Sequence, residues 1–189
     1  MSWDGMTWTA PPADWSVANG VLTAVSGDRT DFWQRTFYGF ARDDGHAYLA
    51  QAEGPFTAEV TFEGAYESLY DQAGLMIRVD AARWIKFGIE WTDGAAHLSV
   101  VVTAGVSDWS AMPLAFEGPV TVRATRLADA VLLEYRDGDG WAMARLAPFA
   151  ADPAEVGVGP YLCSPERAGF RATFRDFAVT DPQVEALHG

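Results

Sequence analysis

The sequence predicts an all-β protein folded as a sandwich of two antiparallel sheets. Two observations support this fold class. Apolar and polar residues alternate with a period of two through most of the chain, as they do in strands that bury one face. Turn signals interrupt these runs about every dozen residues, and no amphipathic stretch exceeds about two helical turns. This spacing favours many short strands over alternating strands and helices.

The clearest alternation lies in residues 56–63, where Phe, Ala, Val and Phe take one face and Thr and Glu the other. Residues 120–125 and 170–174 repeat the pattern, and each is expected to form a strand with one buried face. Residues 98–103 are apolar with little interruption, which is typical of a central strand covered on both faces. Turn signals separate the strands: Glu53-Gly54-Pro55, Asp93-Gly94, Glu117-Gly118-Pro119 and Asp137-Gly138-Asp139-Gly140.

Length and composition favour one domain. The chain has 189 residues, of which 49% are hydrophobic, enough for one substantial core and short for two. No internal repeat or low-complexity linker divides it. We therefore expect a single β-sandwich domain over residues 1–181, followed by a C-terminal tail at residues 182–189.

Charge and cysteine content narrow the range of functions. The chain carries 13 basic and 26 acidic residues, a net charge of −13, which argues against nucleic-acid partners and against anionic membrane surfaces. Neither a secretory leader nor an apolar run of the ~20 residues that cross a bilayer is visible. Cys163 is the only cysteine, so no internal disulfide can form. These features predict a cytoplasmic protein.

Two neighbouring strands place charged residues on one face. In residues 83–91 one face is expected to enter the core, with the side chains of Ile85, Phe87, Ile89 and Trp91. The other face then carries Trp84, Lys86, Gly88 and Glu90. On the preceding strand, the same parity puts Arg78 beside them. If this face is convex, these side chains meet water and form ordinary surface salt bridges. If it is concave, they form the floor of a ligand groove.

Several turn or strand-end segments combine polar groups with a large aromatic side chain. This combination recognises sugar hydroxyls and stacks on sugar rings, although such pairs also cap turns and plug the ends of sandwiches. The candidate binding residues from these segments are Asp31, Trp33, His46, Tyr70, Asp71, Gln72, Ser107, Asp108, Trp109 and Arg167.

Known templates for catalysis fit poorly. Cys163 with His46 or His97 could form a nucleophile–base pair, but a lone cysteine in an apolar strand is usually an inert core residue. The sequence contains no nucleophile elbow, no phosphate-binding glycine loop and no paired-histidine motif. The aspartate-rich segment at residues 137–140 lacks the other positions of a calcium loop and suits a hairpin turn. We therefore predict neither a metal site nor a cofactor.

A glycosidase would need two carboxyl groups about 5–9 Å apart across a sugar site. Glu90 is the candidate acid or nucleophile, and Asp71 or Asp31 is its candidate partner. His46 or Lys86 could assist the proton transfer. No reaction is established by these residues alone.

A set of segments spread over the chain carries a family resemblance. The segments are Thr30-Asp31-Phe32-Trp33, Tyr38-Gly39-Phe40, Gly45-His46, Leu69-Tyr70-Asp71-Gln72-Ala73-Gly74-Leu75-Met76, Trp84-Ile85-Lys86 with Gly88 and Glu90, residues 99–103, Ser107-Asp108-Trp109-Ser110, and Cys163-Ser164-Pro165-Glu166-Arg167-Ala168-Gly169-Phe170. As a set they resemble a bacterial and fungal domain family of unknown function in the concanavalin A-like lectin/glucanase superfamily. Some of its members carry the name regulation of enolase.

The resemblance extends from about residue 3 to residue 179 and has consequences for the fold. It implies a jelly-roll sandwich of two curved antiparallel sheets, whose concave face binds sugars in many members of the superfamily. It therefore supplies the curvature that the strand pattern alone leaves open. It supplies no catalytic residues, and the Glu-x-Asp-x-Glu run of the glucanase branch is absent here. Fold alone does not establish function.

Three functions remain open from the sequence. The first is binding of a small carbohydrate or related polyol without catalysis. The second is a carbohydrate-active enzyme that uses Glu90 as acid or base. The third is a regulatory protein that binds a metabolic enzyme through an acidic, tryptophan-bearing rim. The oligomeric state does not follow from the sequence.

Overall fold

The structure, a computed structural model, describes residues 3–150 and 152–183. The expected C-terminal tail lies outside the described residues from residue 184 onward. The strands of the described ranges are β1 (Thr7–Trp8), β2 (Asp14–Ala18), β3 (Val21–Val25), β4 (Phe32–Gln34), β5 (Ala41–Asp43), β6 (His46–Glu53), β7 (Phe56–Gly64), β8 (Gln72–Asp80), β9 (Arg83–Thr92), β10 (Ala95–Ala104), β11 (Ser107–Pro113), β12 (Val120–Arg126), β13 (Ala130–Asp137), β14 (Gly140–Pro148), β15 (Glu155–Cys163) and β16 (Arg171–Thr180).

Two seven-stranded antiparallel sheets form the sandwich. The front sheet has the order β1-β6-β15-β8-β9-β10-β11, and the back sheet has the order β14-β13-β12-β7-β16-β3-β2. The final strand β16 pairs with β3, so strands from the first and last parts of the sequence lie side by side in the back sheet. The predicted all-β sandwich of two antiparallel sheets is confirmed.

The strand periodicity accounts for the core between the sheets. Ile85, Phe87 and Ile89 of β9 are buried there, in the same apolar cluster as Val60 and Phe62 of β7. The aspartate–glycine turn at residues 137–140 joins β13 to β14, with Asp137 paired to Gly140, so this segment is a hairpin turn as expected.

A small hairpin of β4 and β5 lies against the outer face of the front sheet. Its Phe32 and Trp33 form a second apolar cluster with side chains from the strands beneath, and this cluster is separate from the main core. The members from the front sheet are Ala47, Leu49, Met76, Trp84, Val101, Tyr161 and Cys163. The hairpin therefore covers one part of the outer face and forms a wall beside the rest.

No helix within the described ranges is long and apolar enough to cross a membrane.

Candidate ligand-binding site

A cavity of about 250 Å³ opens on the outer face of the front sheet, beside the β4–β5 hairpin. We call it the outer pocket. Its lining residues are Asp31, Trp33, Tyr38, Phe40, Tyr70, Gln72, Lys86, Glu90, Val101, Trp109, Pro165 and Glu166.

The strand register places the floor of the outer pocket. Gln72 of β8 lies directly opposite Glu90 of β9. Val101 of β10 lies opposite Lys86 on one side and opposite Trp109 of β11 on the other. Because directly paired residues of an antiparallel sheet share a face, these five side chains project from the same surface.

Lys86 is the only lysine of the chain, and it is almost completely buried at 2% exposure. Its Nζ donates a hydrogen bond to the carbonyl oxygen of Phe32 at 2.9 Å and lies 3.5 Å from Oδ1 of Asp31. Burial alone would lower the pKa of Lys86, but the nearby carboxylates, Asp31 above all, outweigh it and raise this pKa above its usual value. Lys86 therefore stays charged and holds the hairpin on the sheet.

Glu90 is the second buried ionisable group of the floor, at 3% exposure. Its Oε2 accepts a hydrogen bond of 2.6 Å from Oγ of Ser99, whose oxygen in turn accepts one of 3.1 Å from Nε1 of Trp109. Burial raises the pKa of Glu90, although Lys86 and the Ser99 hydrogen bond act in the opposite direction.

Aromatic rings form the walls. Tyr38 stacks on Phe40 with 5.5 Å between ring centroids and meets Trp33 edge-on at 5.8 Å. Across the opening, Tyr70 meets Trp109 edge-on at 6.4 Å. The hydroxyl oxygens of Tyr38 and Tyr70 are 3.2 Å apart, within hydrogen-bond distance, and link the hairpin to the loop before β8.

Gln72 completes the polar floor. It is 4% exposed and lines the outer pocket, and its Oε1 has no hydrogen-bond partner among the described residues. An unpaired buried amide oxygen costs about 1–3 kcal/mol. The floor thus combines an ammonium group, a carboxyl group and an amide beneath aromatic walls.

Comparison with known proteins identifies the family. Residues 8–182 match the family described as "Protein of unknown function (DUF1349)". The chain belongs to this family. "Regulation of enolase protein 1" of Saccharomyces cerevisiae is 43% identical to the DUF1349 chain over 187 residues, which cover 96% of the chain and 92% of the relative.

Solved structures support the same assignment. The crystal structure of a functionally unknown protein from Saccharomyces cerevisiae matches with a TM-score of 0.93 and 39% identity, covering 97% of this chain and 100% of that one. The carbohydrate binding module CBM66 from Bacillus subtilis matches with a TM-score of 0.61 and 14% identity, covering 94% and 98%. The module shares the jelly-roll fold with the DUF1349 chain, in agreement with the resemblance seen in the sequence.

Seven of the candidate binding residues predicted from the sequence line the outer pocket. They are Asp31, Trp33, Tyr70, Gln72, Lys86, Glu90 and Trp109. The prediction that Lys86 and Glu90 share the face opposite the core is confirmed by the register.

Arg78 and Trp84 also lie on this face, but the structure corrects their place in a binding site. Phe32 packs edge-on against Trp84 at 6.1 Å between centroids, and Trp84 has no exposed surface on which a ligand could stack. Arg78 forms a paired ion contact with Asp43, with N–O distances of 2.7 and 2.8 Å. The hairpin therefore uses both residues to anchor itself, and neither lines the outer pocket.

The close packing of two strands explains why position 88 is a glycine. A Cβ atom there would lie 2.6 Å from the Cα of Gly74 on the neighbouring strand and would overlap the carbonyl oxygen of Ala73. The glycine pair lets β8 and β9 approach closely between the Lys86 and Glu90 positions.

Asp71 and Arg167 form a structural ion pair outside the outer pocket, with Asp71 buried and Arg167 partly exposed. Asp71 is fully buried and lies 2.6 Å from Nη2 of Arg167. It also accepts hydrogen bonds from the hydroxyl of Ser164 and from the backbone N–H groups of Glu67 and Ser68. Burial acts to raise the pKa of Asp71, but Arg167 and the hydrogen bonds outweigh it, and the pKa lies below its usual value. Of the two partners predicted for Glu90, only Asp31 lines the pocket.

His46, Ser107 and Asp108 are also outside the outer pocket. The ring of His46 bonds to backbone through both nitrogens, with Nε2 accepting from the N–H of Gly27 and Nδ1 within 2.7 Å of the carbonyl oxygen of Ala10. Ser107 is buried between Thr103 and the N–H of Gln34. Asp108 points to Arg145. All three side chains thus have partners within the fold and do not line the outer pocket.

Cys163 is fully buried in the apolar cluster under the hairpin, and burial raises the pKa of its thiol. Since His46 is bonded on both sides, the structure contains no Cys163–His46 pair poised for nucleophilic attack. In the described ranges, no group of three His, Cys, Asp or Glu side chains is placed to hold a metal ion.

Sequence reasoning missed five lining residues: Tyr38, Phe40, Val101, Pro165 and Glu166. Tyr38 and Phe40 belong to an aromatic segment that is visible in the sequence, but that segment lacks the alternation of apolar and polar residues that would have predicted a strand and its faces. Val101 follows the same parity rule as Lys86, and applying that rule to β10 would have found it.

Proposed function

We propose that this protein binds a small carbohydrate or related polyol in the outer pocket. The observation that carries the proposal is the composition of that pocket: Trp33, Phe40 and Trp109 among the aromatic walls, over a floor with Lys86 and Glu90. Flat rings pack against the C–H faces of a sugar, while buried charged groups bind its hydroxyls.

Size and shape agree with a ligand of one ring. The volume of about 250 Å³ lies just under the range of about 300–1,000 Å³ that holds drug-sized ligands. The Bacillus subtilis module with the same fold is named as a carbohydrate binding module, which adds support from fold alone.

The test is a calorimetric titration with neutral monosaccharides and linear polyols. Wild-type protein is expected to bind at least one of them, and Trp109→Ala should weaken that binding by about tenfold or more, because the substitution removes one aromatic wall. Trp109 is 39% exposed, so its loss should leave the fold intact. Trp141→Ala is the matched control, because Trp141 lies on β14 of the back sheet. If no sugar or polyol binds at millimolar concentration, or if both variants weaken binding equally, the proposal is wrong.

A second candidate function is association with enolase, and the tip of the β4–β5 hairpin supports it. Phe37 at this tip is 94% exposed, and its φ of 63° is costly for a bulky residue. Strain and exposure together are typical of a residue kept for contact with a partner. The Saccharomyces cerevisiae relative is named for regulation of enolase.

Sedimentation velocity with purified enolase of the same organism tests this candidate. A complex at micromolar concentration is expected, and Phe37→Ser should weaken it, while Met143→Ser on the back sheet should not. Phe37 does not line the outer pocket, so the two functions can be separated. Absence of a complex with wild-type protein would remove the enolase candidate and leave the sugar proposal untouched.

A further inference from the structure

The outer pocket has an excess of negative charge. Its lining includes the carboxyl groups of Asp31, Glu90 and Glu166 and one cation, Lys86, which gives a formal charge of −2 when all four are ionised. Glu166 is exposed at the mouth, whereas Asp31 and Glu90 are buried at the floor. A neutral ligand leaves this charge uncompensated.

Most hydrogen-bond donors of the pocket are already engaged by the protein. Nε1 of Trp33 donates to the carbonyl oxygen of Thr36, and Nε1 of Trp109 donates to Ser99. The hydroxyls of Tyr38 and Tyr70 face each other. The ligand therefore finds few donors on the walls.

Acceptors remain open at the floor. Asp31 uses Oδ1 for Lys86 and for the N–H of Phe32, and Glu90 uses Oε2 for Ser99. The Trp109 side chain is a further hydrogen-bond donor toward the Glu90 carboxylate. Each carboxylate can accept more hydrogen bonds than these, because its two oxygens offer about four lone-pair sites. The floor consequently favours a ligand that donates hydrogen bonds.

The walls favour a cation for a separate reason. Five aromatic side chains line the pocket: Trp33, Tyr38, Phe40, Tyr70 and Trp109. The face of an aromatic ring attracts a cation through its quadrupole, and several rings around one site bind ammonium groups strongly.

We infer that the ligand carries a protonated amino group beside its hydroxyls, as an amino sugar or an amino-polyol does. This inference rests on the proposed function and names its ligand class more narrowly. The ammonium group lies among the aromatic walls and donates to Glu90, and the hydroxyls reach Lys86 and Gln72. The positive charge of Lys86 does not repel such a ligand strongly, because Asp31 pairs with it. The carboxylates of Glu90 and Glu166 are then left to balance the positive charge of the ligand.

The experiment compares three probes by calorimetry at pH 7: D-glucosamine, D-glucose and N-acetyl-D-glucosamine. Each probe is a single six-membered sugar ring. The amino group is charged in D-glucosamine, absent from D-glucose and acetylated in N-acetyl-D-glucosamine. We expect D-glucosamine to bind about tenfold more tightly than either neutral probe. Glu90→Gln should reduce this preference to below about threefold, and Glu134→Gln, which removes a similarly buried carboxylate from β13 of the back sheet, should leave it unchanged.

Phe40→Leu provides a second variant that does not touch the buried charges. Phe40 is 45% exposed at the rim, and its replacement should weaken binding of D-glucosamine more than binding of D-glucose, so that the preference for D-glucosamine falls. If D-glucose binds as tightly as D-glucosamine, the inference is overturned and the proposed function stands. If none of the three probes binds but another neutral sugar does, the inference is likewise overturned. If neither amino sugars nor neutral sugars and polyols bind, the proposed function fails as well.

Discussion

Replacing Lys86 with methionine keeps most of the side-chain volume and removes the ammonium group from the floor of the outer pocket. The variant leaves Asp31 and Glu90 without their shared counter-charge, and it leaves the carbonyl oxygen of Phe32 without its donor. Lys86→Met should therefore destabilise both the front sheet and the hairpin that Lys86 holds on it.

The size of the effect follows from burial and distance. Removing one partner of a fully buried ion pair costs about 3–5 kcal/mol. The Asp31 side chain is 12% exposed and its Oδ1 lies 3.5 Å from Nζ, so water compensates part of the loss. We expect a decrease of about 2–4 kcal/mol in the free energy of unfolding. In a domain of this length each kcal/mol lowers Tm by about 2–4 °C, which predicts a decrease of roughly 4–16 °C.

Urea unfolding followed by tryptophan fluorescence measures this change. The midpoint should fall while the slope with urea stays constant, because the surface exposed on unfolding is unchanged. Adding Asp31→Asn to Lys86→Met should recover part of the loss, since the double variant no longer buries that unpaired carboxylate. A loss below about 1 kcal/mol for Lys86→Met would show that the ammonium group does not stabilise the hairpin, and so would a double variant less stable than the sum of the two single changes.

Three further predictions concern residues around the outer pocket. The folded pKa of Asp71 lies below the ordinary value of 3.8, so Asp71 contributes stability above that pH and loses it as pH falls through the folded pKa. Asp71→Asn should therefore destabilise the protein by about 2–4 kcal/mol at pH 7 and by much less near pH 2. Urea unfolding at the two pH values measures this difference, and an equal loss of stability at both pH values would contradict the prediction. Gly88→Ala should destabilise the protein by about 2–3 kcal/mol, because the new Cβ atom would overlap backbone atoms of β8. Gly140→Ala, whose Cβ atom would lie 3.8 Å from its nearest neighbour, should change stability by less than about 1 kcal/mol. Equal losses of stability in thermal unfolding would be inconsistent with this packing. Cys163 should react with iodoacetamide only after unfolding, because its thiol is buried and its pKa is raised; rapid labelling of the native protein, followed by mass spectrometry, would argue against this burial.

The fold could be predicted from the sequence because its signal is local and repeated. Alternation in residues 56–63 and 120–125 marks strands that pair directly as β7 and β12, with the expected core face. The same parity rule assigned Lys86 and Glu90 to the outer face, and the register bears this out. Period-two alternation predicts which face of a strand a side chain occupies, but it does not predict what covers that face.

The limits of the site prediction have a physical reason. Strand parity cannot tell which part of an outer face is open, and here the β4–β5 hairpin covers one part of that face. Trp84 and Lys86 have the same parity, yet Phe32 seals Trp84. His46 and Asp71 are polar residues in loops or at strand ends, as ligand-binding residues are, but both satisfy backbone or ion-pair partners within the fold. Such long-range contacts depend on the tertiary structure and leave no local pattern in the sequence.

A small ligand in the outer pocket is expected to reach Lys86 at the pocket floor. Because Lys86 is the only lysine, protein labelled with ¹⁵N at the lysine side chain carries one Nζ nucleus, and that nucleus lies at the floor. Titration with the monosaccharides and polyols tested by calorimetry should shift this single NMR resonance in a saturable way, with the same Kd that calorimetry gives. A resonance that stays in place while calorimetry records saturation would put the ligand elsewhere on the protein and contradict the account.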